Sequence, residues 1–155
     1  MFSSNAICER FNRFGYFILI VSALFVENFA LRQVVGPSTR IDLTGAFFSL
    51  AAPSPVPVTI DPHLVVLIYC PPNVNGNSVL EVVFRSGPSV DDEQLARNVS
   101  PFTVEPGKFI YRLVRGELLI NSYGQIFAHC RIGSAQWHLV PLTILPPVVE
   151  APNQT

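Results

Sequence analysis

Charged residues are scarce in this chain. Asp, Glu, Lys and Arg together make up 14% of its 155 residues, whereas soluble domains typically have roughly 25%. The formal net charge is −1, so the chain has no excess of basic side chains of the kind that binds nucleic acid or anionic lipid. We therefore expect no nucleic-acid partner.

The chain also lacks an apolar run long enough for a membrane-spanning helix. The longest run extends from Tyr16 to Val26, whereas a transmembrane helix needs about 20 residues. Arginines precede the run, and residues 21–23 are compatible with cleavage by signal peptidase. Because Glu9 dilutes the positive charge and the apolar stretch before residue 21 is short, we expect a cytoplasmic protein. Secretion through a short signal peptide is the alternative.

Motifs of catalysis are missing as well. The sequence has no GxSxG elbow, no glycine-rich phosphate loop, and no HxH, CxxC or HExxH spacing. Asp91, Asp92 and Glu93 are adjacent in a polar stretch, which is typical of a solvated loop. Cys70 and Cys130 lie in apolar segments and are expected to be small core residues; their spacing leaves open whether they pair. We predict no catalytic residue and no cofactor.

The chain does contain many turn-forming residues between short apolar segments. Its 14 prolines and 9 glycines separate stretches such as His63 to Cys70, a pattern that favours an all-β protein with many turns. We predict a single antiparallel β-sandwich of about eight strands over residues 23–146. Residues 1–22 are then an extension outside the fold, and residues 147–155 a disordered tail. The one helical turn is expected at residues 91–96.

Alternation along these segments predicts the core of the sandwich. The predicted core residues are Leu43, Phe47, Val65, Leu67, Val82, Phe84, Phe109, Tyr111, Phe127 or Ala128, Trp137 and Leu139.

The spacing of Cys70 and Cys130 invites comparison with the immunoglobulin fold. In that fold a tryptophan stands between the two cysteines, and a tyrosine stands two residues before the second. Here Trp137 follows both cysteines, and Ala128 occupies the tyrosine position. The pattern therefore predicts an immunoglobulin-like architecture but not a true immunoglobulin domain.

A histidine pair provides the strongest candidate for a binding site. Gly133 and Ser134 suit a two-residue type II′ hairpin, and direct continuation of that hairpin pairs His129 with His138 across the strands. Two facing imidazoles could share a divalent metal, with Asp61 or His63 as further ligands. The alternative interpretation is that the two histidines are polar cross-strand neighbours without a metal.

Two regions of the chain resemble a family of small uncharacterised bacterial proteins, a domain of unknown function. The first region, "ALFVENFALRQ…RIDLTGAFFSLAAPSPVP", is similar to the strand, hairpin and proline link with which that family opens. The second, "EPGKFIYRLV", is similar to a later strand of the family. The resemblance spans Ala23 to Leu145, with Asp42 at a position where the family has asparagine. It implies a cytoplasmic bacterial β-sandwich with no assigned activity.

The expected function is therefore non-enzymatic. A sandwich without converging polar groups is more often an interaction or structural module than an enzyme. The many apolar strands and few charges predict a homo-oligomer or a stable protein partner, with edge strands forming the contact because their backbone groups are unpaired. The alternative is a metal- or small-ligand-binding protein built on His129 and His138.

Overall fold

The computed structural model describes residues 18–36 and 38–150. That part of the chain forms eleven β-strands and no helix, which confirms the all-β prediction, although the predicted number of about eight strands is too low. Consequently no helix in it has the length and apolar composition to cross a membrane. The strands are β1 (Leu19–Val34), β2 (Ser38–Phe47), β3 (Ser49–Ala51), β4 (Val58–Ile60), β5 (His63–Tyr69), β6 (Asn77–Arg85), β7 (Gln94–Thr103), β8 (Phe109–Arg115), β9 (Leu118–Ile120), β10 (Gly124–Ile132) and β11 (His138–Leu145).

The strands are arranged in three sheets. A four-stranded sheet has the order β2-β1-β5-β8, and a five-stranded sheet has the order β3-β11-β10-β6-β7. The short strands β4 and β9 form the third. All pairs are antiparallel except β3 with β11, where Ser49–Ala51 run parallel to Thr143–Leu145. The prediction of a purely antiparallel fold is therefore wrong at this one pair.

The core draws on both larger sheets. Strands β5, β6 and β10 each carry fully buried side chains at alternate positions, as expected of strands that cover a shared interior. Val82, Phe84 and Ala128 are buried in the core cluster as predicted, whereas Val65 is buried on the opposite face of β5, outside that cluster. The other fully buried large side chains of the core cluster are Phe25, Leu64, Ile68, Leu80, Leu118, Leu142 and Ile144.

Three predicted core residues are at the surface instead. Leu43, Phe109 and Leu139 are 37%, 65% and 40% exposed. Their strands do alternate as predicted, but the apolar residues stand on the outer faces of the sheets and other side chains supply the interior. Alternation identifies two faces of a strand without showing which one is covered.

Two predicted boundaries also differ. Strand β1 begins at Leu19, and Leu19 pairs with Tyr69 of β5, so residues 19–22 belong to the sheet and not to an extension. The predicted helical turn at residues 91–96 is a turn at Val90 and Asp91, after which β7 begins at Gln94. Residues 1–17 lie outside the described residues, as do the last five residues of the predicted tail; residues 146–150 have no regular structure.

The paired ends of β1 and β2 form an arm that folds back over the four-stranded sheet. The arm comprises residues 28–34 and 38–44, which pair only with each other. Because Val26 lies beside one end of β5 and Tyr111 beside the other, a straight strand would carry Phe29 away from Tyr111. Their ring centroids are nevertheless 6.1 Å apart. The arm therefore bends, and at its base stands Gly45, whose φ of 63° is in the left-handed region that favours glycine.

Candidate functional site

The β10–β11 hairpin contains the predicted turn but not the predicted register. The Ala135 amide donates to the Ile132 carbonyl at 3.0 Å, and Gly133 has a φ of 54°, as a type II′ turn requires. Past the turn, Cys130 pairs with His138 and His129 with Leu139. Two residues on the β11 side, Gln136 and Trp137, therefore stand opposite one on the β10 side. This bulge shifts the register by one residue.

The shift separates the two histidines. His138 follows Trp137 at the exposed start of β11, on the parity of the core-facing Val140 and Leu142. His129 has the opposite parity to Cys130 and stands on the outer face of the five-stranded sheet. The prediction of a facing His129–His138 pair is wrong, because a one-residue slip in a strand moves every side chain to the other face.

His129 is nevertheless fully buried on that outer face. Its side chain is 0% exposed, and its Nε2–H donates to the Gly87 carbonyl at 2.9 Å. Trp137, which we predicted in the core, lies against it instead, edge to face, with ring centroids 6.1 Å apart. The imidazole Nδ1 has no hydrogen-bond partner. His129 is thus a structural residue under the loop that joins β6 to β7.

That loop is itself held by polar contacts. The Ser89 amide donates to the Asp92 carboxylate at 2.7 Å, and the Arg85 guanidinium donates to the Asp92 carbonyl at 3.2 Å. A Cβ at Gly87 would stand 2.4 Å from that carboxylate, so a larger residue there would displace the Asp92 side chain from its hydrogen bond to Ser89. The loop therefore covers His129 as an ordered lid.

A charged network completes this face. Glu81 accepts hydrogen bonds from Arg131 at 2.9 Å and from the Arg97 guanidinium. The Arg131 guanidinium also lies 4.1 Å from the centre of the Trp137 ring, which is a close cation–π contact. The hydrogen bonds from Arg97, and then those from Arg131, lower the pKa of Glu81. The charged groups of Glu81, Arg97 and Arg131 therefore find partners within the chain, and Arg131 also contacts the Trp137 ring.

Of the other two candidate ligands, His63 begins β5 of the four-stranded sheet, and Asp61 lies in the link between β4 and β5. Asp61 forms an ion pair with Arg115, which lowers the pKa of the carboxyl group. Asp61, His63 and Arg115 share an open groove of about 520 Å³. The structure thus brings Asp61 and His63 together but places neither with His129. Within residues 18–36 and 38–150, no group of three or more His, Cys, Asp or Glu side chains could hold a metal ion.

Both described cysteines are buried free thiols. Cys70 and Cys130 are each 0% exposed, and burial raises the pKa of the Cys130 thiol to about 12. They are core residues, as predicted, and no disulfide joins them.

A cluster of exposed apolar side chains lies where the arm meets β8, and sequence analysis missed it. A groove of about 650 Å³ separates the arm from β8. We define the face patch as the four exposed aliphatic and aromatic side chains in this region. They are Leu31, Leu43, Phe109 and Leu113, at 49%, 37%, 65% and 38% exposure. Neighbouring aromatic contacts join Phe109 to Tyr69 at 5.0 Å between ring centroids.

A sequence pattern does mark the arm. Pairing places Leu31 opposite Ile41 and Phe29 opposite Leu43, so one face of the arm is apolar. The other face carries Arg32 and Asp42, joined by an ion pair at 2.9 Å. This alternation is visible in the sequence, but taken alone it favours a core strand.

Comparisons with known proteins give limited information. No model of a known protein family matches the sequence, and no curated protein matches it. Solved structures of a β-glucosidase from Listeria innocua are similar to parts of the chain. The complex with glucose has a TM-score of 0.49 and 9% identity, covering 66% of this chain and 15% of that one. The complex with isofagomine has the same TM-score and 11% identity, covering 79% of this chain and 17% of that one. The chain therefore spans only a small part of these enzymes.

Proposed function

We propose that the protein is a non-enzymatic interaction module in which the two larger sheets pack as one β-sandwich and the four-stranded sheet contacts a protein partner. The sandwich is supported by the single core cluster, to which both sheets contribute buried side chains. Surface contact is supported by the exposed apolar side chains that line the groove between the arm and β8.

One observation carries the proposal: the face patch is apolar, exposed and contiguous with a groove. Isolated exposed apolar residues are ordinary, whereas a cluster of them with a polar rim is typical of protein contact sites. Here Leu31 and Leu113 line the groove together with Phe109, and Gln33 and Arg112 supply polar groups at its margin.

The alternative of a metal- or small-ligand-binding protein lacks comparable support. It depended on a His129–His138 pair, and those two side chains do not face each other. His129 is sealed beneath the Gly87 loop.

The proposal is tested by removing the face patch. Phe109→Ser combined with Leu113→Ser removes the apolar contact at two side chains that are 65% and 38% exposed, and circular dichroism checks that the fold is kept. We expect the wild-type protein in an extract of its source cell to elute in a complex, and this variant to elute at a smaller size. Val148→Ser with Val149→Ser is the control, since both residues are exposed outside the strands. Unchanged elution of the patch variant would contradict the proposal.

A further inference from the structure

We propose that two copies of this chain associate through strand β2, which pairs antiparallel with β2 of the second copy about a twofold axis at Ile41. The inference deepens the proposed function and rests on it, since both assign protein contact to the four-stranded sheet. It names the partner of that sheet's edge and the register of the contact.

Strand β2 is the edge best suited to pairing. It ends the order β2-β1-β5-β8, so one side of its backbone bonds to β1 and the other pairs with no strand of residues 18–36 and 38–150. Unpaired edge groups of this kind recruit a further strand. The ten-residue strand Ser38–Phe47 contains no proline, and every residue in it can therefore donate a backbone hydrogen bond.

The other long edges are less suitable. Strand β7 contains Pro101, which has no N–H and interrupts a hydrogen-bonded ladder. On β8, the Arg112 guanidinium donates to the Tyr111 carbonyl at 2.9 Å, which occupies an acceptor of that strand. Strand β3 has only three residues. Among the described strands, β2 alone combines length with an uninterrupted edge.

Charge selects the register. In antiparallel pairing about Ile41, Arg40 of each copy stands opposite Asp42 of the other, so that opposite charges face each other at two symmetric contacts, with Asp42 still accepting from Arg32 of its own copy. Moving the axis by one residue places either Arg40 opposite Arg40 or Asp42 opposite Asp42. Directly opposed like charges destabilise a sheet, whereas opposite charges stabilise it. The pattern Arg-Ile-Asp at residues 40–42 therefore favours a single symmetric register.

The same register extends the apolar face of the arm. Leu31 is already opposite Ile41 within one copy. Pairing about Ile41 brings the two Ile41 side chains together, which yields a continuous row of Leu31, Ile41, Ile41 and Leu31 across both copies. Ile41 is partly exposed in the single chain, and the second copy's Ile41 packs against its outward side. Burial of apolar area provides the driving force.

Pairing of the two β2 strands gives a closed dimer. Because each copy uses the same strand, the interface is isologous and consumes both β2 edges. The two four-stranded sheets become one continuous sheet, and assembly stops at the dimer. The dimer also presents two face patches to other proteins.

Charge reversal tests the register. We would compare the full-length wild type, Arg40→Asp and Asp42→Arg by sedimentation velocity over a range of concentrations, each alone and the two variants also as an equal mixture. The wild type should reach twice the 17.1 kDa chain mass. Each variant alone opposes like charges twice, and we expect its dimer to weaken by about tenfold or more.

The mixture gives the decisive result. Positions 40 and 42 are both acidic in the first variant and both basic in the second, so opposite charges face each other at both contacts of a mixed dimer. A dimer should therefore reappear at wild-type concentrations. Asp91→Arg is the control, because its charge changes in the loop between β6 and β7, outside the four-stranded sheet. Circular dichroism checks folding, and loss of the exposed Arg32–Asp42 pair costs little stability.

Two results would overturn the pairing: a mixture that dimerises no better than its components, or single variants that dimerise as the wild type does. The proposed function fails separately. If the pairing is overturned but the Phe109 and Leu113 variant still loses its complex, the interaction module stands with another partner. If neither set of variants changes the assembly, both are wrong.

Discussion

The outer faces of the two larger sheets differ in how far the chain itself covers them. On the five-stranded sheet, the loop at Gly87 covers His129, and Glu81 joins two arginines beside Trp137. On the four-stranded sheet, the arm covers part of the face and leaves Leu31 and Phe109 exposed. The first face is covered by segments of its own chain. The second has apolar surface and an open edge, which is why we assign protein contact to it.

The largest expected effect is on the completed face. His129→Ala should reduce the free energy of unfolding by about 2–4 kcal/mol, because it leaves a cavity and an unpaired Gly87 carbonyl. The matched control, His138→Ala, removes an exposed side chain and should change stability by less than about 0.5 kcal/mol. Urea unfolding measures both. Equal losses of stability at the two positions would contradict the observed register and favour the predicted pairing of His129 with His138.

A second variant tests how the open face is formed. Gly45→Ala places a side chain at a φ of 63° and should cost about 1–2 kcal/mol of stability. It should also move the arm away from β8, which hydrogen exchange of residues 28–34 would report as faster. Gly76→Ala is the control, since Gly76 has a φ of 96° and nothing within 4 Å of an added Cβ. If Gly76→Ala accelerates hydrogen exchange in the arm as much as Gly45→Ala does, Gly45 does not determine the bend.

The smallest effect concerns the charged network of the completed face. Glu81→Gln should cost about 1 kcal/mol at neutral pH, because two arginines lose a charged acceptor. The pKa of Glu81 lies below its usual 4.5. Its contribution is therefore complete above that value and is lost as the pH falls through the lower, folded-state pKa.

Thermal unfolding of wild type and variant across this acidic range provides the measurement. The difference between the two proteins should shrink as the pH falls. A difference that stays constant, or grows, would show that the Glu81 carboxylate does not act through its charge.

Much of the architecture could be predicted from local pattern. Prolines and glycines between short alternating segments predict an all-β chain, and Val82 and Phe84 are buried as that alternation requires. The Gly133 turn was equally predictable, since only φ above zero at its first central position suits that hairpin. The arrangement of His129 and His138 could not be predicted, because the bulge at Gln136 and Trp137 changes the register and no turn residue marks it.

The sequence by itself determined the strand content, the turn positions and the amphipathic alternation, because these depend on properties of neighbouring residues. Only the tertiary structure decided which face of each strand is covered, since covering depends on segments distant in the chain. Leu43 and Phe109 alternate like core residues and yet face outward, because the arm folds over β8 and the interior is already filled. His129, a polar residue, is buried because a loop more than forty residues earlier supplies its acceptor at Gly87.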